Sequence, residues 1–154
     1  MSQIAARLRT LGITLPEATK PVASYVPYVI SEKLVFISGQ LPIHNGAPSC
    51  IGAVGTAVTV ADANAAARLC GLHLIAQLQA ACNGDLDQVR RCVRLGGFVQ
   101  SVDGFGEQPA VINGASELMI EIFKENGKHA RAAVGVNALP LNASVEVDAI
   151  FEIY

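Results

Sequence analysis

Period-two alternation of apolar and polar residues predicts two strands at the end of the chain, Ala130–Ala138 and Ser144–Tyr154. One face of the first strand carries Arg131, Ala133, Gly135 and Asn137. In the second strand the apolar residues share one face, and Glu146 lies on the opposite, polar face. If helices cover the apolar face of the sheet, Arg131 and Glu146 both project from the uncovered face.

Helical spacing of apolar residues predicts three helices. A short amphipathic helix at the N-terminus carries Ile4, Leu8 and Leu11 on one side. The longest helix starts at the capping sequence Thr59-Val-Ala-Asp62 and ends near Asn83-Gly84. A third helix runs from Pro109 to about Asn126, where Asn-Gly is a typical C-terminal stop.

β-rich segments precede and separate these helices: Val22–Ile30, Lys33–Ser38, Gly52–Thr59 and Val89–Val102. Within the last of them, Gly96-Gly97 indicates a bulge or a close backbone approach. Strands, helix, strand, helix and strands in that order predict an α+β fold with a mixed sheet and two main helices on one face. We expect one domain over residues 1–154, with a helical N-terminal extension at 1–21.

Composition adds an expectation about assembly. The 154 residues are 51% hydrophobic and 16% charged, which excludes a disordered protein. No stretch approaches the roughly 18 uninterrupted apolar residues of a membrane span. Surplus apolar surface in a small domain often belongs to a subunit interface, so we expect an oligomer that does not bind membranes.

Charge and motif content narrow the function classes. The formal net charge is −2, and the one basic cluster, Arg90-Arg91 with Arg94, divides between two strand faces, so nucleic-acid binding is not favoured. No CxxC pair occurs and the three histidines are far apart, so no metal site is predicted. The N-terminus lacks the apolar core of a secretory signal, and we expect a cytoplasmic protein.

Arg131 is the strongest candidate for binding chemistry. Ala133 and Gly135 are small and share its strand face, which leaves room beside the guanidinium for a bidentate grip on a carboxylate. A glutamate nearby, such as Glu146, could orient or deprotonate a water molecule. The alternative is a surface pair of Arg131 and Glu146 worth about 0–1 kcal/mol.

Several segments together resemble the RidA (YjgF) family. The run from Arg131 through Leu139-Pro140 to Glu146-Val-Asp-Ala-Ile150 is similar to the family's C-terminal signature. Pro27-Tyr28, the segment Ser38-Gly39-Gln-Leu-Pro42 and the helix-start segment around Asn113 resemble its other motifs. The similarity extends over about residues 22–154.

This resemblance implies a chorismate-mutase-like fold assembled as a homotrimer, with clefts between subunits. It implies hydrolysis of small enamine and imine carboxylates to 2-keto acids and ammonia, without a cofactor. By position, Arg131 matches the carboxylate-binding arginine and Glu146 the glutamate that holds the attacking water. The cleft-lining positions implied in the same way are Tyr28, Ser38, Gly39, Asn113, Ala133 and Gly135.

Two departures keep alternatives open. Ala133 stands where a cysteine is usual, and Gly135 where many members have glutamate. These features and the longer 1–21 and 99–109 segments resemble a branch named for endoribonuclease activity. The alternatives are therefore a trimer that binds small carboxylates without turning them over and, least favoured by the acidic charge and the absence of a His/Lys constellation, an RNA-cleaving enzyme.

Overall fold

The structure is a computed structural model that describes residues 2–21 and 23–154. The predicted N-terminal helix and the segment Val22–Ile30 each begin at a residue outside this range, Met1 and Val22. Within the described residues there are three α-helices, α1 (Gln3–Thr10), α2 (Val60–Ala81) and α3 (Gln108–Phe123). Helices α2 and α3 cover one face of a five-stranded sheet, and the short N-terminal helix α1 packs beside α3 and the segment Leu86–Gln88.

The main sheet has the strand order β1-β2-β7-β5-β6. Its strands are β1 (Tyr28–Ser31), β2 (Leu34–Gln40), β5 (Val89–Gln100), β6 (Ala130–Val136) and β7 (Val145–Ile153). A small hairpin, β3 (Ile43–His44) with β4 (Ala47–Pro48), stands apart from it. All neighbours in the main sheet are antiparallel except β5 and β6, whose parallel pairing is bridged by α3.

The register of the sheet separates a helix-covered face from an open face. On β5, Leu95 and Val99 are fully buried beneath the helices, and their partners on β7, Ala149 and Val145, are buried as well. Phe98 lies on the opposite face with Glu146 beside it. The predicted α+β architecture, with both main helices on one face, is confirmed.

Two predicted strands differ from the structure. Gly52–Thr59 forms only isolated bridges at Val54 and Val58, because Gly52 and Gly55 have positive φ values of 99° and 105° that interrupt an extended run. In the predicted segment Val22–Ile30, Val22 lies outside the described residues, residues 23–27 form no strand, and β1 begins at Tyr28. Gly96-Gly97 is neither a bulge nor a close approach of two backbones. The side chains of Asp148 and Ile112 fill the space where a Cβ would lie, and the irregularities of β5 lie before Arg94.

Helix α1 is fastened to the start of β5 through Asp87. The Asp87 carboxylate accepts hydrogen bonds from the hydroxyl of Ser2 and from the backbone N–H groups of Gln3 and Ile4, at 2.8–2.9 Å. These bonds satisfy donors that the first turn of a helix leaves unpaired. The same hydrogen bonds lower the pKa of Asp87, because they favour its charged form.

Helices α2 and α3 cross closely at a glycine. A Cβ on Gly114 would overlap the carbonyl oxygen of Asn64 and lie 3.1 Å from the backbone nitrogen of Arg68. Both obstacles are backbone atoms of α2, so they cannot rotate away. The amide of Asn64 donates a hydrogen bond to the carbonyl of Ala110 at 2.9 Å, which ties the two helices together beside the crossing.

We predict that Gly114→Ala destabilises the fold by about 1–3 kcal/mol, since the added methyl forces the helices apart. Chemical denaturation measures the change. Gly106→Ala is the matched control, because a Cβ there meets nothing within 4 Å and its φ is not positive. Equal stability of Gly114→Ala and the wild type would contradict the tight crossing.

Candidate functional site

Arg131 points toward helix α3, where two polar side chains hold its guanidinium. Its Nη1 donates to the amide oxygen of Asn113 at 2.8 Å and to the hydroxyl of Ser116 at 3.2 Å. Asn113 and Ser116 are three residues apart, so they lie on the same side of the helix. Both hydrogen bonds use Nη1, and no residue that the structure describes accepts a hydrogen bond from Nη2 or Nε, so that edge can bind a ligand.

The placement of Arg131 on the uncovered face is therefore wrong. β6 pairs Arg131 with Leu95 and Ala133 with Gly97, and both partners face the helices. The opposite side of β6 carries Val134, which is 46% exposed. Alternation correctly grouped the residues of β6, but the apolar side of this edge strand is the open one.

Glu146 does lie on the open face, on β7 next to Phe98. It is half-buried. Desolvation raises the pKa of its carboxyl, and the negative charge of Asp148 raises that pKa further. A carboxylate with a raised pKa is better matched to proton transfer near neutral pH than an ordinary glutamate.

The absence of a side chain at Gly39 leaves the space that the Glu146 carboxylate occupies. A Cβ on Gly39 would overlap Oε1 of Glu146 and lie 2.9 Å from its carboxyl carbon. The ladder between β2 and β7 shifts by one residue between Ile37 and Gln40, so Gly39 belongs to a β-bulge. Bulges commonly re-aim strands beside functional sites.

Ser38 and Tyr28 are less directly connected to Glu146. The Ser38 hydroxyl donates to the carbonyl of Val26 at 2.8 Å, so it fastens the loop before β1. Tyr28 pairs with Ile37, which is buried under the helices, and its ring is partly buried against the core at the edge of the sheet.

Ala133 and Gly135 continue the helix-facing side of β6 beyond Arg131. Ala133 packs against the core. A Cβ on Gly135 would lie 2.8 Å from the hydroxyl oxygen of Ser101 and 3.0 Å from the amide nitrogen of Gln108. These groups border a cavity of about 340 Å³. The side chains of Ser101 and Gln108 thus occupy part of the space that a side chain at position 135 would fill.

The candidate residues form two groups that one chain keeps apart. Arg131, Asn113, Ala133 and Gly135 lie on the helix-covered side at the β6 edge, whereas Gly39 and Glu146 lie on the open face. Strand β5 separates β6 from β7, so the two groups are also about 10 Å apart across the sheet, at two strand spacings. A small molecule cannot contact both groups within one copy of the chain.

Sequence reasoning missed Ser116 and His129. The Nε2 atom of His129 lies 2.9 Å from the Ser116 hydroxyl, which in turn contacts Arg131. Lys128 lines the same cavity of about 250 Å³. The predicted absence of a His/Lys constellation is therefore wrong for this cavity. The i, i+3 spacing of Asn113 and Ser116 was a usable signal, whereas the position of His129 depends on the turn before β6.

Two other kinds of site are missing from the part of the chain that the structure describes. Among residues 2–21 and 23–154, no group of three or more His, Cys, Asp or Glu side chains is arranged to hold a metal ion. Within the same ranges, no helix has the length and apolar character needed to cross a bilayer.

Comparison with known proteins confirms the resemblance. Residues 5–153 match the family described as "YjgF/chorismate_mutase-like, putative endoribonuclease". The chain is 48% identical over 152 residues to Protein TCP17 of Trypanosoma cruzi, covering 98% of this chain and 94% of that protein.

Two solved structures are similar over almost the whole chain. The protein Atu1372 with unknown function from Agrobacterium tumefaciens is 53% identical with a TM-score of 0.91, covering 98% of this chain and 92% of that one. A protein of Shewanella oneidensis titled a putative endoribonuclease is 35% identical with a TM-score of 0.93, covering 97% and 99%.

We predict that Gly39→Ala lowers the pKa of Glu146 toward its ordinary value. The new methyl displaces the carboxylate toward solvent and so reduces the desolvation that raises this pKa. Carbon-detected NMR titration of the glutamate side chains measures the change, with Gly106→Ala as the control. An unchanged Glu146 pKa in Gly39→Ala would show that the glycine does not place the carboxylate.

Proposed function

Since this chain belongs to the YjgF/chorismate mutase-like family, we propose that it is a hydrolytic deaminase. Its substrates are small reactive enamine and imine carboxylates, and its products are 2-keto acids and ammonia. The observation that carries the proposal is the guanidinium of Arg131, fixed at Nη1 and free along its other edge.

Arg131 binds the carboxylate of the substrate. Asn113 and Ser116 both accept from Nη1, so the carboxylate pairs with Nη2 and Nε in a bidentate arrangement. Because the guanidinium is already held, little side-chain entropy is lost when the substrate binds. Ala133 leaves space on the strand beside the bound molecule.

Glu146 acts on water. Protonation by solvent, of an enamine at carbon or of an imine at nitrogen, gives the iminium ion. Glu146 accepts a proton from a water molecule as the water oxygen bonds to the iminium carbon, which gives a carbinolamine. The protonated carboxyl passes that proton to the amine nitrogen. The carboxylate then accepts the hydroxyl proton as the C–N bond breaks, ammonia and the 2-keto acid leave, and loss of this proton to solvent restores the carboxylate. The raised pKa of Glu146 suits it to both proton transfers.

The site requires two copies of the chain. One copy supplies Arg131 with Asn113 from its β6 edge, and a neighbouring copy supplies Glu146 and Gly39 from its open face. This division supports the homotrimer that the family resemblance implies, because cyclic symmetry repeats one such cleft at every interface.

The open face of the sheet supports the same assembly. Three of its apolar side chains are substantially exposed in the single chain: Val29 at 53%, Phe36 at 41% and Val134 at 46%. Phe98 and Ile150 lie between them in the register. A second copy that covers this face removes apolar surface from water, which is the main driving force of such interfaces.

Two other functions have separate grounds. Gly135 stands where many members of the family carry a carboxylate, which favours a trimer that binds small carboxylates without hydrolysis.

RNA cleavage is the other candidate function, suggested by the names of similar proteins and by the cavity beside His129 and Lys128. Against RNA stand the net charge of −2 and the ion pair of Lys128 with Glu125 at 2.9 Å. RNA degradation that persists in Arg131→Ala and Glu146→Gln would come from a contaminant.

We predict that wild-type protein accelerates ammonia release from 2-iminobutanoate generated in situ. Arg131→Ala lowers kcat/KM at least about 30-fold by removing the carboxylate partner. Glu146→Gln lowers kcat by about 10²–10⁴ because general base catalysis is lost. Arg68→Ala, which removes a partly exposed arginine paired with Glu121, is the control. Stabilisation by 2-keto acids without turnover of any imine would instead support the binding function.

Complementation tests whether the site is shared between copies. Arg131→Ala and Glu146→Gln are co-expressed with different tags, and assemblies that carry both tags are purified. If Arg131 and Glu146 come from different copies, one of the three clefts in every mixed trimer contains both native groups, and about a third of the activity returns. If both groups act from one copy, every cleft lacks one of them and the mixed assembly stays inactive.

A further inference from the structure

A chain of three hydrogen bonds leads away from the carboxylate-binding arginine. Nη1 of Arg131 donates to the Ser116 hydroxyl at 3.2 Å, that hydroxyl lies 2.9 Å from Nε2 of His129, and Nδ1 of His129 lies 2.6 Å from the carbonyl oxygen of Gly127. Ser116 is buried and His129 is half-buried. The mechanism proposed above uses Ser116 only as a partner of Arg131, and it does not use His129.

The proton positions in this chain follow from the partners. The carbonyl of Gly127 can only accept, so Nδ1 of His129 carries a hydrogen. In the neutral ring Nε2 is then the acceptor, and the Ser116 hydroxyl donates to it. The hydroxyl oxygen keeps its lone pairs for Arg131. A neutral His129 therefore sets the hydroxyl in the orientation that accepts from the guanidinium.

We propose that His129 is a positioning residue that holds Arg131 through Ser116 and makes the affinity of Arg131 for a carboxylate increase on acidification. The inference rests on the proposed carboxylate-binding function, and it adds a regulated affinity to that site.

Among the residues that the structure describes, the charged side chains that share a cavity with His129 are Lys128 and Arg131, both positive. The negative charge of Glu125 is paired with Lys128. Helix α3 presents Ser116 and Ile120 to the shared cavity, and Lys128 precedes the ring. Strand β6 presents Arg131, and β5 places the apolar Leu95 beside Arg131. Burial lowers the pKa of His129, the hydrogen bond to Gly127 opposes this, and the charge of Arg131 lowers the pKa further. The ring is therefore neutral at pH 7.

The sign of the pH effect follows from linkage. A carboxylate bound to Arg131 offsets part of the positive charge that His129 experiences, so it raises the pKa of His129. By reciprocity, a protonated His129 strengthens carboxylate binding. Affinity is therefore lowest when the ring is neutral and increases as the pH falls through the pKa of His129. The hydroxyl of Ser116 accepts from Arg131 in both states, so the arginine stays in place.

The test is the pH dependence of 2-keto acid binding between pH 8 and 5, measured by calorimetry on the assembled protein. We expect roughly three- to tenfold tighter binding by the wild type at the acidic end, for a charge pair about 8 Å apart in a partly aqueous site. His129→Gln keeps an acceptor for Ser116 but does not titrate. The ratio of its dissociation constants at pH 8 and pH 5 should lack the His129 contribution that the wild type shows.

Controls separate His129 from other titrating groups. His44→Gln changes an exposed histidine on the separate hairpin, so it should retain the full pH effect. Glu146 also has a raised pKa, so the comparison is repeated in a Glu146→Gln background, where adding His129→Gln must still remove the same part of the pH effect. NMR titration of the His129 ring supplies a direct readout: a 2-keto acid should raise its pKa in the wild type and not in Arg131→Ala.

The outcomes distinguish the two proposals. If acidification strengthens binding in the wild type and His129→Gln removes the His129 contribution, the proposed relay, the chain of hydrogen bonds from His129 through Ser116 to Arg131, is supported. An undiminished pH effect in His129→Gln, or pH-independent binding by the wild type, overturns the relay and leaves the proposed function standing. An absence of binding by the wild type at every pH overturns the carboxylate site itself, and the relay with it.

Discussion

The pleat of the sheet decides where every candidate group lies. Successive side chains of a strand alternate between its faces, and register transmits this choice from one strand to the next. Leu95 on β5 thus sends Arg131 toward the helices, while Phe98 keeps Glu146 on the open face. A slip of one residue in β6 would turn Arg131 to the open face, and a slip of one residue in β7 would turn Glu146 to the helices. The separation of the two groups is therefore a property of the whole sheet.

The sequence was sufficient for most of the architecture because its helices have strong end signals. Thr59 accepts a hydrogen bond from Asp62 as the capping sequence predicts, and α2 starts at the next residue. Gly52–Thr59 is not the predicted strand, because the positive φ values of Gly52 and Gly55 interrupt an extended run that its apolar content alone suggests. The cytoplasmic location and the trimer remain predictions.

The candidate site was less predictable, and β6 shows why. Ala132, Val134 and Val136 make one side of this strand more apolar than the side that carries Arg131, so composition pointed to the wrong buried face. The structure buries the side of Ala133 because the turn before β6 and the crossover through α3 set its register. His129 entered the site in the same way, through tertiary structure that no local pattern of residues encodes.

The separation of Arg131 from Glu146 also has a chemical consequence. An arginine and a glutamate in contact within one chain would form an ion pair, which occupies the guanidinium and lowers the pKa of the carboxyl. On opposite faces, Arg131 keeps a free edge, and Glu146 keeps the raised pKa that desolvation and Asp148 give it. Under the proposed function, the two groups meet only across an interface, with the substrate carboxylate between them to neutralise the arginine. Assembly then brings Glu146 to the substrate as a base, while Arg131 stays available to bind the substrate carboxylate.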